Sequence, residues 1–149
     1  MSNSRLASTE IASNKIVSAI KSEKKHIKRF YKTQRYSAGF LGDDVCYLLK
    51  DESEQIIASV LVSFAGSTPF LHGLVVASHY QHRGIANRLL QHCRAHHQPL
   101  TCFAVTSLKA LYQQNGFHQL NTADVDVKLL ARYKAYQAKQ ATLAIYGAS

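Results

Sequence analysis

Gln81, Gly84 and Ala86, in the run YQHRGIANRLLQHC from Tyr80 to Cys93, stand where an apolar helix pattern begins. Small side chains at that place leave the backbone open to a bulky ligand. The first N–H groups of a helix have no partner within it and carry partial positive charge, so they bind phosphate well. Arg83 adds a formal charge beside them, and His79 and His82 flank the turn. A sharp turn alone also accounts for Gly84, although glycine within a helix costs roughly 1 kcal/mol against alanine. A second group with chemistry to offer comes in LYQQNGF, residues 111–117, where Tyr112 lies on a short helix one strand further on. That phenol is a proton donor at a site, or a half-buried core tyrosine.

The elements that must position these groups read as follows. Between Glu10 and Tyr36, Ile16, Ile20, Ile27, Phe30 and Tyr31 recur at helical spacings, which predicts an amphipathic helix or two in succession. VCYLLKD (45–51) and QIIASVLVSFAG (55–66) read as a hairpin, and FLHGLVVA (70–77) as a third strand. A helix follows over 83–97, then a strand, LTCFAV (100–105), then a short helix over 107–116. Ser107 is placed to cap that helix, and Gly116 to take the left-handed position after it. FHQL reads as a short strand, 125–140 as an amphipathic helix and ATLAIYG (141–147) as a last strand. The strand–helix–strand alternation from 70 to 105 implies a parallel pair with a helical crossover. The expected fold class is therefore mixed α/β: one domain over 10–149, after a disordered 1–9. Its central mixed sheet is mostly antiparallel, holds one parallel pair and is flanked by helices.

Gln81-x-x-Gly84-x-Ala86 resembles the acetyl-CoA signature of the GNAT N-acetyltransferase superfamily, (Arg/Gln)-x-x-Gly-x-(Gly/Ala). LHGLVVA before it and LTCFAV after it are similar to that superfamily's fourth and fifth strands, and LYQQNGF to its tyrosine-containing element. The resemblance is clear over about residues 45–120; the usual first strand is not evident. RFYKTQRYSAG and GDDVCYLL look like small bacterial members. The resemblance implies an acyltransferase with acetyl-CoA as cosubstrate. It implies that Leu74, Val75 and Val76 meet the pantetheine arm through backbone groups, in the gap where the fourth strand splays from the fifth. It implies that backbone N–H groups from Gln81 through His82, Arg83, Gly84, Ile85 and Ala86 to Asn87 hold the pyrophosphate. Tyr112 falls on the group that protonates the departing thiolate, and Asn115 lies near a cofactor contact. The thioester carbonyl needs a donor as its oxygen gains charge, and the N–H of Val76 fits that role. The attacking amine must lose a proton, yet strands 70–77 and 100–105 contain no acidic residue. His72 is the titratable side chain there with a pKa near neutrality; a polar residue on a half-exposed strand explains it equally well. Asp43 and Asp44 are outside candidates for gripping a cationic substrate.

The composition bounds the alternatives. The 149 residues carry a net charge of +9, and eight basic residues against Glu23 alone fall within 15–36. Such a segment attracts polyanions or is a solvated helix face. No apolar run approaches the roughly 20 residues that span a bilayer, and the polar start lacks a secretory signal, so a cytoplasmic protein without a membrane partner is expected. Cys46, Cys93 and Cys102 form no metal or disulfide pattern, and Cys102 reads as core packing rather than as an acetyl carrier. His92 and His96 lie four apart beside His97 without a third ligand, and no metal is expected. The reading is direct acetyl transfer to a primary amine of a small molecule or protein, by a monomer or homodimer. A CoA-binding sensor that has lost turnover is the alternative, and a nucleic-acid-binding protein ranks behind both.

Overall fold

The computed structural model describes residues 14–37, 43–64, 66 and 68–149. Among the described residues, seven strands hydrogen-bond in the order β1-β2-β3-β4-β5-β7-β6. They are β1 (Val17–Ser18), β2 (Val45–Lys50), β3 (Ile56–Ser63), β4 (Phe70–Val76), β5 (Leu100–Val105), β6 (His118–Gln119) and β7 (Leu143–Ala148). The helices among the described residues are α1 (Lys24–Thr33), α2 (Ile85–His96), α3 (Lys109–Gln114) and α4 (Val127–Gln137). The mixed α/β class, the antiparallel sheet and its one parallel pair are as expected. The disordered segment expected over 1–9, and residues 38–42, lie outside the described residues.

The chain divides into two compact units. The first comprises residues up to Leu61 with Gly73–Leu89. Its core gathers Ile27, Phe30 and Tyr31 from α1 with Cys46 and Leu48 from β2 and Leu61 from β3. The helical spacing of those three α1 residues is what turns one face of the helix inward. Within the expected 10–36 helix, of which residues 10–13 lie outside the described residues, Val17–Ser18 is instead β1, paired antiparallel with β2 through Val17↔Leu48 and Ser18↔Tyr47. The spacing of Ile16 and Ile20 imitated a helix, and pairing with a sheet edge overrode it. The β2–β3 turn is held by Asp51, whose carboxylate accepts from the N–H groups of Ser53 at 2.8 Å and Gln55 at 2.9 Å.

A polar chain crosses this apolar core. Cys46 Sγ is 3.2 Å from Ser59 Oγ, which is 2.9 Å from Tyr31 Oη, which donates to the carbonyl of Gly73 at 2.6 Å. A carbonyl only accepts, so Tyr31 donates to it, Ser59 donates to Tyr31, and the Cys46 thiol donates to Ser59. Burial pushes the Cys46 thiol up to about 11 and raises Tyr31 further, so both keep their protons. A Cβ on Gly73 would lie 3.0 Å from Tyr31 Oη, so this close approach depends on glycine. Tyr31→Phe removes the middle of the chain; we expect it to lower stability by about 1–3 kcal/mol in urea denaturation, because buried polar groups lose their partners.

The second unit comprises Val62–His72 and Leu90–Ser149. The parallel pair is made by Phe70↔Thr101 and Leu71↔Cys102. β5 pairs antiparallel with β7 from Leu100↔Ala148 to Val105↔Leu143, and β6 with β7 through His118↔Gly147 and Gln119↔Tyr146. Leu100, Cys102, Ala104, Ile145 and Tyr146 are buried along this sheet. α4 starts at Asp126, whose carboxylate accepts from the Leu129 N–H at 2.8 Å, and Tyr133 donates to the carbonyl of Leu143 at 2.7 Å.

Candidate functional site

The turn after β4 belongs to the first unit. The N–H of Ala77 donates to the carbonyl of Ile57 on β3 at 2.8 Å. Strand alternation therefore directs the N–H and carbonyl of Val76 to the edge away from β3. Gln81 Nε2 donates to that carbonyl at 3.1 Å, so the Gln81 side chain closes the turn onto the end of the strand. Leu74, Val75 and Val76 are half-buried. His82 and Gly84 both take left-handed conformations, with φ of 65° and 77°. Nothing lies within 4 Å of where a Cβ on Gly84 would be. The conformation, not packing, asks for glycine there, and the space over the backbone is open. α2 begins next, at the buried Ile85, with half-buried Ala86 and Asn87 and no acidic residue in its first turn. The first N–H groups of a helix point out of its N-terminal end. The Arg83 guanidinium stacks over the Tyr80 ring at 5.5 Å. An open, positively polarised backbone beside an arginine can hold a diphosphate.

Tyr112 belongs to the second unit. It is buried on α3, stacked on Tyr146 at 5.7 Å between ring centroids and edge-on to Phe117 at 5.4 Å. Its carbonyl accepts from the N–H groups of Asn115 at 3.1 Å and Phe117 at 3.0 Å. Asn115 is buried, and its Nδ2 donates to the carbonyl of Leu111 at 2.9 Å, so its amide secures the last turn of α3. Arg94, on α2, donates to the carbonyl of Asn115 at 3.1 Å and to that of Ser149 at 3.2 Å. A six-residue helix is marginal by itself, and a cation at its C-terminal carbonyls opposes fraying. Gly116 takes the expected left-handed position, with φ of 83°. Ser107 does not cap: it lies inside a 3₁₀ turn over Thr106–Leu108, and α3 starts without a side-chain cap.

A Cβ on Gly116 would fall 2.1 Å from Arg94 Nη1. Gly116→Ala thus displaces the guanidinium from both carbonyls and strains a left-handed residue. We expect a loss of about 2–3 kcal/mol in denaturant unfolding, with Arg94→Ala showing part of it. Sequence reasoning missed Arg94, because one basic residue on an amphipathic helix carries no signal of what its head group reaches. It also missed Tyr146, whose buried hydroxyl has no hydrogen-bond partner among the described residues and is raised in pKa by burial.

The other candidates fall as follows. His72, on β4 and half-buried, stacks on Phe70 at 5.9 Å. Cys102 is fully buried and burial raises its thiol far above the ordinary range. Asp43 is exposed and Asp44 half-buried. No group of three or more His, Cys, Asp or Glu among the described residues is arranged to hold a metal ion. No helix among them is long and apolar enough to cross a membrane. The His92 and His96 rings stack at 4.2 Å, and burial, then repulsion within the trio, hold His92 and His97 below the ordinary imidazole value of 6.5. A depressed pKa means that the unfolded chain takes up these protons more readily, so stability is full above that value and falls as pH drops through it. Between about pH 7.5 and 5.5 the melting temperature should fall, and His92→Gln/His97→Gln should flatten the decline.

A family model described as an acetyltransferase (GNAT) domain matches residues 42–119, more than half of the chain. The chain belongs to the GNAT acetyltransferases. The match covers Gln81, Gly84, Ala86 and Tyr112. No curated protein matches the sequence. Among solved structures, the GNAT fold recurs in the ribosomal-protein-S18-alanine N-acetyltransferase of Escherichia coli, with a TM-score of 0.65 at 13% identity, covering 91% of this chain and 92% of that one. Escherichia coli ElaA gives 0.64 at 12% identity, covering 91% and 99%. The N-acetylglutamate synthase of Neisseria gonorrhoeae, complexed with coenzyme A and N-acetyl-glutamate, gives 0.66 at 14% identity over 90% of this chain. The chain spans only 35% of that synthase.

Proposed function

We propose that this GNAT chain transfers the acetyl group directly from acetyl-CoA to a primary amine. The observation that carries the reading is the turn at Gly84, left-handed and open above its backbone, at the head of a helix with no acidic residue in its first turn. In this reading the backbone from Gln81 to Asn87 holds the pyrophosphate, with Arg83 adding charge. The outward backbone groups of Leu74 to Val76 take the pantetheine arm. The Val76 N–H meets the thioester oxygen as it gains charge. Gln81 is assigned to the turn itself, since its amide is spent on Val76.

The amine nitrogen bonds to the acetyl carbon, the carbon–sulfur bond breaks, and the thiolate takes a proton from Tyr112. Asn115 serves by fixing the last turn of α3 rather than by reaching the cofactor. His72 is the candidate for receiving the ammonium proton. Direct transfer is favoured over an acetyl-cysteine because Cys102 is buried and protonated. The test is mass-spectrometric detection of acetylation across a panel of small amines and peptide N-termini, alongside calorimetric binding of acetyl-CoA. Acetylated product from any amine supports the reading. Tight binding with no product across the panel identifies a cofactor sensor instead.

A further inference from the structure

The basic segment has a one-sided geometry. Lys21, Lys25, Lys28, Arg29 and Lys32 are exposed, and their spacings of four, three, one and three put them on one face of the α1 helix and the turn before it. At 1.5 Å per residue the stripe is about 16 Å long. None of these five cations makes an ion pair among the described residues, and the acid of the segment, Glu23, is held by Lys50 at 2.5 Å. Along its flank runs a groove of about 460 Å³ between α1 and the β2–β3 hairpin. His26, Arg29, Thr33 and Gln34 line it on the helix side and Lys50 and Gln55 on the hairpin side, together with Glu23 and Glu54, both paired to Lys50, and the apolar Phe30 and Ile56.

The chemistry of this surface selects its occupant. A membrane-bound amphipathic helix inserts its apolar face, but Ile27, Phe30 and Tyr31 are consumed by the core. A protein interface is anchored by buried aromatic or aliphatic side chains; α1 itself exposes no large hydrophobic residue, and Ile20 and Tyr36, exposed beyond its two ends, stand apart from the stripe's middle. A nucleic-acid backbone needs only cations and hydrogen-bond donors. A hydrogen-bonding groove beside the cations suits an unstacked nucleotide, which a single strand offers and a duplex does not. We propose that α1 and the adjoining groove bind a single-stranded nucleic acid, with phosphates on the stripe from Lys21 to Lys32 and a nucleotide against Thr33, Gln34 and Gln55. This site does not depend on the acetyl-transfer reading.

The experiment is fluorescence anisotropy of a labelled twelve-residue oligouridine with the full chain across a salt series. Binding is expected at low salt, with log K falling linearly with log salt. Lys25→Gln/Lys28→Gln/Arg29→Gln/Lys32→Gln should reduce that slope by about 2–3, at roughly 0.7 per phosphate contact, and weaken binding at least about tenfold. Its melting temperature and its shift with acetyl-CoA should stay those of the parent, since all four side chains are exposed. Thr33→Ala/Gln34→Ala/Gln55→Ala should weaken binding without changing the slope. Absence of binding at low salt, or an unchanged slope in the charge variant, overturns the proposal. So does equal affinity for a polyglutamate peptide of the same length, which would make the stripe an unselective polyanion surface. Complete displacement by acetyl-CoA would move the oligonucleotide to the turn at Gly84 and overturn it as well.

Discussion

Tyr112→Phe lowers kcat by about 10²–10³-fold while the KM for acetyl-CoA stays within about twofold, the pattern for loss of a general acid that acts in the transition state. The substitution keeps the packing of the ring. The ring sits between Tyr146 and Phe117, and phenylalanine keeps both contacts. The hydrogen bonds that close the last turn of α3 use the backbone carbonyl of residue 112, which the change leaves alone. What is lost is one proton donor. Steady-state kinetics at saturating amine, beside a thermal melt showing the parent's midpoint, measure it. Unchanged kcat would return Tyr112 to the role of a core tyrosine and leave the thiolate to take its proton from solvent.

Gly84→Glu abolishes the thermal shift that acetyl-CoA gives the parent protein. A carboxylate at that place puts a negative charge where the diphosphate is proposed to lie. At 4 Å and an effective dielectric constant near 20, two unit charges repel by about 4 kcal/mol, a factor of roughly 10²–10³ in Kd after partial relaxation. A Cβ at this position would meet no protein atom within 4 Å. Its cost to folding is therefore the left-handed conformation alone, about 1–2 kcal/mol. Gly84→Ala separates the two effects: it carries the same strain without the charge, and should keep most of the shift. Melting curves at a fixed excess of acetyl-CoA read both variants, because ligand stabilisation scales with the logarithm of ligand concentration over Kd. A parent-like shift in Gly84→Glu would remove the turn from the cofactor site.

The strands with a dense apolar pattern were legible in the sequence. β5 has the bounds its residues predict, and β2 and β4 each end one residue short of theirs. The turn at Gly84 was legible because its chemistry is local: three residue types, a strand before them and a helix after. β1 was not. Two residues carry no period, and what makes Val17 and Ser18 a strand is their pairing with Leu48 and Tyr47 on the edge of β2, far along the chain and by no local rule. Ser107 looked like a cap because it precedes an apolar run, yet the chain reaches α3 through a 3₁₀ turn. The Gln81 amide closing onto Val76, and the Arg94 guanidinium closing onto Asn115, depend on where long side chains end. Spacing fixes where a side chain starts, and its far end answers to tertiary packing.

The hydroxyl of Tyr31 joins α1 to β4 through the carbonyl of Gly73, three residues before Val76. It is a hydrogen-bonded joint between the helix that carries the basic stripe and the strand that leads to the turn at Gly84. If an occupant of α1 prefers one setting of that hydroxyl, it changes the affinity for acetyl-CoA by some factor. Thermodynamic linkage then requires that acetyl-CoA change the occupant's affinity by the same factor. Tyr31→Phe cuts the joint without touching either surface, and so brings that shared factor to one.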